Sequence, residues 1–123
     1  MTNIIAIALA ACLAVETSNG RNIRRSDGGN AVGILQTWPC AVAEANRIEK
    51  ILSWKQGRKP RRWTLQDRQS VGKSKQMCAV TLEWHYRRGT RCPVELACKW
   101  RNPYSKCPEW HKRKIETAVK EVK

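Results

Sequence analysis

Apolar side chains recur at helical spacing in several separate segments of the chain. Residues 3 to 15 carry no charge and are apolar on nearly every side, which predicts a buried central helix ending near Asn19-Gly20. Later segments show apolar positions three or four residues apart, which is typical of amphipathic helices. Their repeating positions are Ala41, Ala45, Ile48 and Leu52, then Met77, Val80, Thr81 and Trp84, then His111, Ile115, Ala118 and Val122.

Prolines and turn residues set the expected limits of these helices. Pro39, Pro93 and Pro108 each suit a first helical position. Thr64 and Asp67 have the spacing of a capping box and predict another helix start, after a basic loop over residues 56 to 62. Residues 20 to 38 are rich in turn formers, so we expect loops there with at most a short hairpin. The prediction is a mostly α-helical single domain over residues 1–123, with a minimal β or loop insertion after the first helix.

The first segment has a second interpretation, as a cleaved export signal. Its apolar stretch is followed by small residues, and residues 9 to 12 resemble a lipoprotein cleavage box that ends at Cys12. An export signal normally begins with positive charge, whereas Met1-Thr2-Asn3 has none. We therefore favour the buried helix. The uncharged run is also shorter than the roughly 20 residues of a transmembrane helix.

Charge and length narrow the classes of function. The 123 residues include 24 Lys and Arg against 10 Asp and Glu, a formal charge of +14, which attracts polyanions such as nucleic acid, anionic membranes or cell wall. A chain of this length holds one core, which excludes a two-domain enzyme. Glycine motifs of dinucleotide-binding and P-loop proteins are missing. The six cysteines are either paired in up to three disulfides or serve as small buried residues.

Glu16 is the first candidate for chemistry, because it is the only charged side chain in the first 20 residues. It lies at the carboxyl end of the apolar helix. Burial and the negative end of the helix dipole both favour the protonated carboxyl, which is the form that a general acid needs. The alternative is an exposed glutamate that merely ends the helix.

Four segments, in order, resemble the lysozyme-like superfamily, in particular short lytic transglycosylase and goose-type lysozyme domains. In that pattern a helix ends in Glu-Ser, a Gly-x-x-Gln segment follows, and later helices carry Asn-Arg-Ile and Tyr-Thr-x-x-Asp-Arg. The corresponding segments here are Glu16-Thr17-Ser18, Gly33-Ile34-Leu35-Gln36, Asn46-Arg47-Ile48 and Trp63-Thr64-Leu65-Gln66-Asp67-Arg68. The similarity extends from about residue 5 to residue 119. It implies a lysozyme-like α+β fold.

The resemblance implies a muramidase that cleaves the glycan of bacterial peptidoglycan between N-acetylmuramic acid and N-acetylglucosamine. Glu16 would be the single catalytic acid and base, without a cofactor. A substrate cleft would be formed by Gly33, Ile34, Leu35 and Gln36, and further contacts are expected from Asp27, Trp100 and Asn102. The expected partner is peptidoglycan rather than nucleic acid, the expected state is a monomer, and the expected location is the cell envelope, the periplasm or the exterior, including delivery by a phage.

Departures from the family pattern keep other functions open. The family has Asn-Gly near the carboxyl terminus, whereas this chain has Arg101 before Asn102 and Pro103 after it. One alternative is therefore a cell-wall-binding module of the same fold without catalysis, and another is a cationic membrane-active protein. A third is a basic nucleic-acid-binding zinc protein of CCCH type, whose ligands would be Cys92, Cys98, Cys107 and His111.

Overall fold

The structure is a computed structural model that describes residues 3–17 and 29–122. These residues form α-helices joined by short loops, so the predicted mostly α-helical class is confirmed. No helix within the described residues is both long enough and apolar enough to cross a bilayer. The helices are α1 (Asn3–Thr17), α2 (Pro39–Gln56), α3 (Val71–Arg87), α4 (Pro93–Arg101) and α5 (Glu109–Val122), with a 3₁₀ helix at Leu65–Gln69.

Helix α1 packs against three other helices, α3, α4 and α5. Its buried side chains are small or β-branched, which lets the neighbouring helices approach closely; they include Ile5, Ala8, Ala11 and Cys12. The Cys12 thiol donates a hydrogen bond to the carbonyl of Ala97 in α4, at 3.5 Å. The first segment thus occupies the central position that its apolar pattern predicts.

Helix α2 packs against α3 and begins at the expected proline. Ala45, Ile48 and Leu52 of its predicted apolar face are buried. The helix ends at Gly57, whose φ of +67° is the left-handed conformation that glycine adopts at low cost. The amide of Gly57 donates to the carbonyl of Trp54, 3.3 Å away, and closes the last turn.

Pro108 is not the first residue of a helix as predicted. Helix α5 begins one residue later at Glu109, and the Pro108 carbonyl accepts the Lys112 amide at 2.9 Å.

Two other details of the predicted helices are wrong. Asp67 does accept the Thr64 amide at 2.8 Å, but this box begins the 3₁₀ helix, and Ser70 caps α3 separately by accepting the Lys73 amide. The extended backbone at Ser70 interrupts the helical path and separates the two elements. In α5, Val122 does not continue the buried face that it was predicted to share with His111, Ile115 and Ala118. It is 41% exposed and lies in the last turn, beyond the helix's last buried residue, Val119.

The described part of the insertion is a tight turn with almost no β structure. An antiparallel bridge pairs Val32 with Thr37, and the Gln36 amide donates to the Gly33 carbonyl at 3.0 Å. Gly33 has a φ of +85°, and a Cβ at this position would lie 1.9 Å from the Arg68 carbonyl oxygen. The prediction of a short hairpin at most therefore holds for residues 29–38.

Arg68 fastens this turn to the helical body. Its Nη1 donates to the Asn30 carbonyl at 2.8 Å and to the Thr37 carbonyl at 3.2 Å. Its own carbonyl accepts the Ser74 hydroxyl of α3 at 2.9 Å. One guanidinium group thus holds the chain both before and after the turn.

The cysteines are all free thiols in the structure, and three of them are core residues, namely Cys12, Cys78 and Cys98. Burial raises the pKa of Cys98 to about 12, with a further contribution from its neighbour Cys107. The interpretation of the cysteines as small buried side chains therefore fits these three.

Candidate functional site

A pocket of about 310 Å³, which we call the Glu16 cleft, opens where the ends of α1 and α4 meet the turn and the first residues of α2. Helix α5 forms another wall. Its lining mixes aromatic rings, cations and one carboxylate, and comprises Val15, Glu16, Ala31, Gln36, Thr37, Trp38, Ala41, Trp100, Arg101, Trp110 and Lys114. The cleft therefore brings together three of the residues predicted from the sequence, Glu16, Gln36 and Trp100.

Glu16 lies in the last turn of α1, and its side chain is only 7% exposed. The Arg101 guanidinium approaches its carboxylate to 3.5 Å. The next residue, Thr17, is buried and donates its hydroxyl to the Ile34 carbonyl at 2.6 Å. This bond fixes the end of α1 against the turn, so the carboxylate of Glu16 has a defined position on the cleft wall.

Gln36 and Trp100 form a second side of the cleft. Gln36 has a φ of +47° and donates its side-chain amide to the Gly33 carbonyl at 2.9 Å. The indole N–H of Trp100 donates to the Leu35 carbonyl at 3.0 Å and thereby joins α4 to the turn. Trp100 is 7% exposed, so its ring is packed in the protein and offers little open surface for stacking.

Gly33, Ile34 and Leu35 are not among the cleft-lining residues, contrary to the expectation for this segment. Leu35 is fully buried in the core, and the carbonyls of all three accept the hydrogen bonds described above. These three residues therefore hold the turn in place through their backbone hydrogen bonds. A sequence pattern gives the order of these residues but not which of them turn inward.

Two other predicted contacts lie elsewhere. Asn102 lines a different pocket, together with Cys98, Cys107 and Lys99, and its Nδ2 is buried there without a hydrogen-bond partner. The chain leaves α4 at Asn102 with φ −128° and ψ 70°, which turns this side chain away from the Glu16 cleft. Asp27 lies outside the described residues.

Cations beside an indole are the feature of the cleft that sequence analysis missed. The Arg101 guanidinium carbon and the Lys114 ammonium each lie 5.4 Å from the centre of the Trp110 ring, within the range of cation–π attraction. Trp110 is 54% exposed, and Trp38 is 37% exposed across the cleft. The i, i+4 spacing of Trp110 and Lys114 on α5 could have indicated this contact from the sequence.

The alternative zinc ligands are not gathered into one site. Cys92 is exposed at the start of α4, whereas His111 is 2% exposed and has a buried Nδ1 without a hydrogen-bond partner. Burial, assisted by Arg101 and Lys114, lowers the pKa of His111 to about 4. Among residues 3–17 and 29–122, no three Cys, His, Asp or Glu side chains are placed to hold a metal ion.

Comparison of the chain with protein-family models, with curated proteins and with solved structures gives no match. The residues of the Glu16 cleft are therefore the basis on which its function is inferred.

Proposed function

We propose that this chain is a muramidase that cleaves the glycan of bacterial peptidoglycan, with Glu16 as its single acid and base. The observation that carries the proposal is one shielded carboxylate, 7% exposed, on the wall of a pocket of about 310 Å³. Gln36 and exposed indoles face the same space. Apolar faces with a few fixed polar groups are typical of carbohydrate and other small-ligand sites.

In this mechanism Glu16 acts twice. The protonated carboxyl gives its proton to the glycosidic oxygen as the bond from the muramyl C1 breaks, and the N-acetylglucosamine end leaves with a new hydroxyl. The resulting carboxylate then takes a proton either from the muramyl 6-hydroxyl, which closes a 1,6-anhydro ring on C1, or from a water that adds to C1. Either course returns the proton to Glu16.

The remaining lining residues suit an anionic glycan. The Trp38 and Trp110 rings offer apolar faces to sugar rings, and the Gln36 amide suits an N-acetyl group. Arg101 and Lys114 supply positive charge for the carboxylates of the lactyl group and peptide stem. Such a substrate places the activity in the bacterial cell envelope or outside the cell.

Arg101 also bears on how Glu16 is protonated. A guanidinium 3.5 Å from a carboxylate favours the ionised form, which is the wrong form for a general acid. A substrate carboxylate bound to Arg101 would draw the guanidinium away from Glu16 and favour proton uptake. The proposal therefore links recognition of the anionic substrate to activation of the acid.

The same contact favours a second candidate, a cell-wall-binding module of this architecture without turnover. If Arg101 keeps Glu16 ionised in the bound state, the cleft holds glycan but does not cleave it. The position of Asn102 in another pocket also removes an expected substrate contact from the Glu16 cleft.

Digestion of purified peptidoglycan, with the products identified by mass spectrometry, tests the proposal. We expect products from the wild type and from Glu116→Gln, a matched change at an exposed acid on α5, but none from Glu16→Gln. Loss of general-acid catalysis corresponds to a decrease of about 10²–10⁴-fold. Anhydro-muropeptides indicate a lytic transglycosylase, and reducing ends indicate a lysozyme.

Co-sedimentation with the same peptidoglycan separates the two candidates. Sedimentation of the wild-type protein without any product would replace the enzyme by the binding module. Equal digestion by wild type and Glu16→Gln would contradict the assigned role of Glu16.

A further inference from the structure

A second pocket, which we call the basic pocket, is lined by four positive side chains and two uncharged residues. Its volume is about 410 Å³, and its lining residues are Asn46, Arg47, Lys50, Pro60, Arg61 and Arg62. None of these described lining residues is acidic, and none of them lines the Glu16 cleft. Arg47 is paired with Glu44 at 2.6 Å and Arg61 with Glu49 at 2.9 Å, whereas Lys50 and Arg62 are exposed and supply the positive charge that attracts phosphates and other anions.

A buried glutamate under the basic pocket keeps its basic loop in place. Glu49 is 0% exposed and accepts hydrogen bonds from the Arg61 amide at 2.8 Å and from the Arg61 and Arg58 guanidinium groups at 2.7–3.0 Å. Although burial raises the pKa of this carboxyl, these hydrogen bonds outweigh it and lower the pKa to about 2. These bonds hold the loop against α2, and the side chains of Lys50 in α2 and Arg62 in the loop are exposed.

The loop is also tied to α2 and to the core. The Asn46 side chain donates to the Trp63 carbonyl at 2.9 Å and accepts the Trp63 amide at 2.8 Å. The Trp63 indole is 2% exposed, and the Arg61 guanidinium carbon lies 5.0 Å from the centre of its ring. The positive charges are thus presented by a preorganised surface, which lowers the entropic cost of binding a ligand.

An open aromatic ring lies next to the basic pocket on the same helix. Trp54 is 83% exposed, the largest exposure among the large hydrophobic side chains of residues 3–17 and 29–122. It follows Lys50 by four residues and Arg47 by seven, so the three side chains share one face of α2. An exposed indole beside a rigid positive surface is the combination by which proteins hold single-stranded nucleic acid, with bases stacked on the ring and phosphates beside the cations.

We propose that the basic pocket and Trp54 form a binding site for single-stranded nucleic acid, separate from the Glu16 cleft. Phosphates of the strand would lie in the pocket against Lys50 and Arg62, and one base would stack on Trp54. Because every base has an aromatic face, the site binds without strong sequence preference. This inference differs from the sequence-based expectation of no nucleic-acid partner and does not depend on the muramidase proposal.

Fluorescence polarisation of the full chain with a labelled oligothymidylate of about 12 nucleotides tests the site. The variant Lys50→Gln/Arg62→Gln should bind at least about tenfold more weakly in low salt. The slope of log K against log salt should also fall by about 1.4, for two lost phosphate contacts. Trp54→Ala should weaken binding about fivefold to a hundredfold but leave that slope unchanged.

The matched control removes the same charge from α5, a helix that packs on α1 and α4, in the variant Arg113→Gln/Lys120→Gln. An equal loss of affinity in this control would overturn the proposal, because binding would then depend on total charge alone. Circular dichroism of each variant verifies that the fold is retained.

A competition experiment distinguishes nucleic acid from other phosphate polymers. Duplex DNA and a polyol phosphate polymer, which has no bases, should compete poorly with the oligonucleotide. Equal competition by either polymer, together with normal binding by Trp54→Ala, would overturn the assignment to a single strand.

Discussion

Glu49 and Glu16 are both shielded from solvent and both contact arginine side chains, yet their surroundings differ. Glu49 is fully buried and accepts several hydrogen bonds of 2.7–3.0 Å from Arg58 and Arg61. Glu16 lines a cleft, and its distance to Arg101 is 3.5 Å. Short, numerous hydrogen bonds to a carboxylate stabilise a fold. Glu16 lies on the wall of a cavity, where a carboxylate is within reach of a ligand. We therefore predict that Glu49 mainly stabilises the fold, and that Glu16 acts in the proposed reaction.

The largest expected effect on stability is that of Glu49→Gln. The neutral amide loses the charge-assisted bonds to two guanidinium groups, and we expect a decrease of about 3 kcal/mol in the free energy of unfolding. Urea denaturation measures this difference. Glu16→Gln is the matched comparison and should change the stability by less than about 1 kcal/mol, because Arg101 is 39% exposed. Equal losses in the two variants would remove the distinction between the two glutamates.

The next largest effect is expected at Gly33, which supports the cleft but not the basic pocket. Gly33→Ala brings a Cβ to 1.9 Å from the Arg68 carbonyl oxygen, so the turn or the 3₁₀ helix that contains Arg68 must shift. Gly29→Ala is the control, since Gly29 has nearly the same φ, +87°, and no atom within 4 Å of its ideal Cβ position. We expect Gly33→Ala to be about 2 kcal/mol less stable than Gly29→Ala in urea. Peptidoglycan cleavage should fall, whereas oligonucleotide binding should be retained.

These comparisons also show which parts of the molecule were predictable from sequence. Pro39 and Pro93 begin α2 and α4 as expected, because a fixed φ and a missing amide suit that position. The placement of Glu16 at the end of a buried helix also follows from local pattern. Asn102 could not be placed, since its direction depends on one irregular backbone conformation at the end of α4. Arg101 meets Glu16 across 85 positions of sequence, a contact that no local spacing encodes.

The loss of stability in acid should originate in histidine and not in Glu49. Burial holds the pKa of His111 near 4, below its usual 6.5, so the unfolded chain takes up a proton in this interval while the folded chain does not. Stability should therefore fall as the pH decreases from about 6.5 towards 4, by about 1.4 kcal/mol per pH unit for one such histidine.

His85 should add to this loss, because burial and then Lys99 lower its pKa to about 4 as well. Glu49, with a pKa lowered to about 2, keeps its contribution above pH 4.5 and loses it only in stronger acid. Urea denaturation between about pH 7 and 5 measures the slope, which should be smaller in His111→Leu than in the wild type. An unchanged slope in that variant would contradict the assignment to His111.

The smallest expected change in stability is that of Arg101→Gln. This variant also tests whether Arg101, which contacts Glu16, binds the carboxylates of the substrate. The guanidinium is 39% exposed, so its loss should cost less than about 1 kcal/mol of stability. If Arg101 binds substrate carboxylates, KM for peptidoglycan should rise about threefold to tenfold in Arg101→Gln, and the increase should be much smaller for glycan stripped of its peptide stems. Arg113→Gln, an exposed arginine of α5, is the matched control for charge. An equal rise in KM on both substrates would show that Arg101 supports the structure of the cleft but does not bind the substrate carboxylates. It would contradict the proposal that binding of these carboxylates promotes protonation of Glu16.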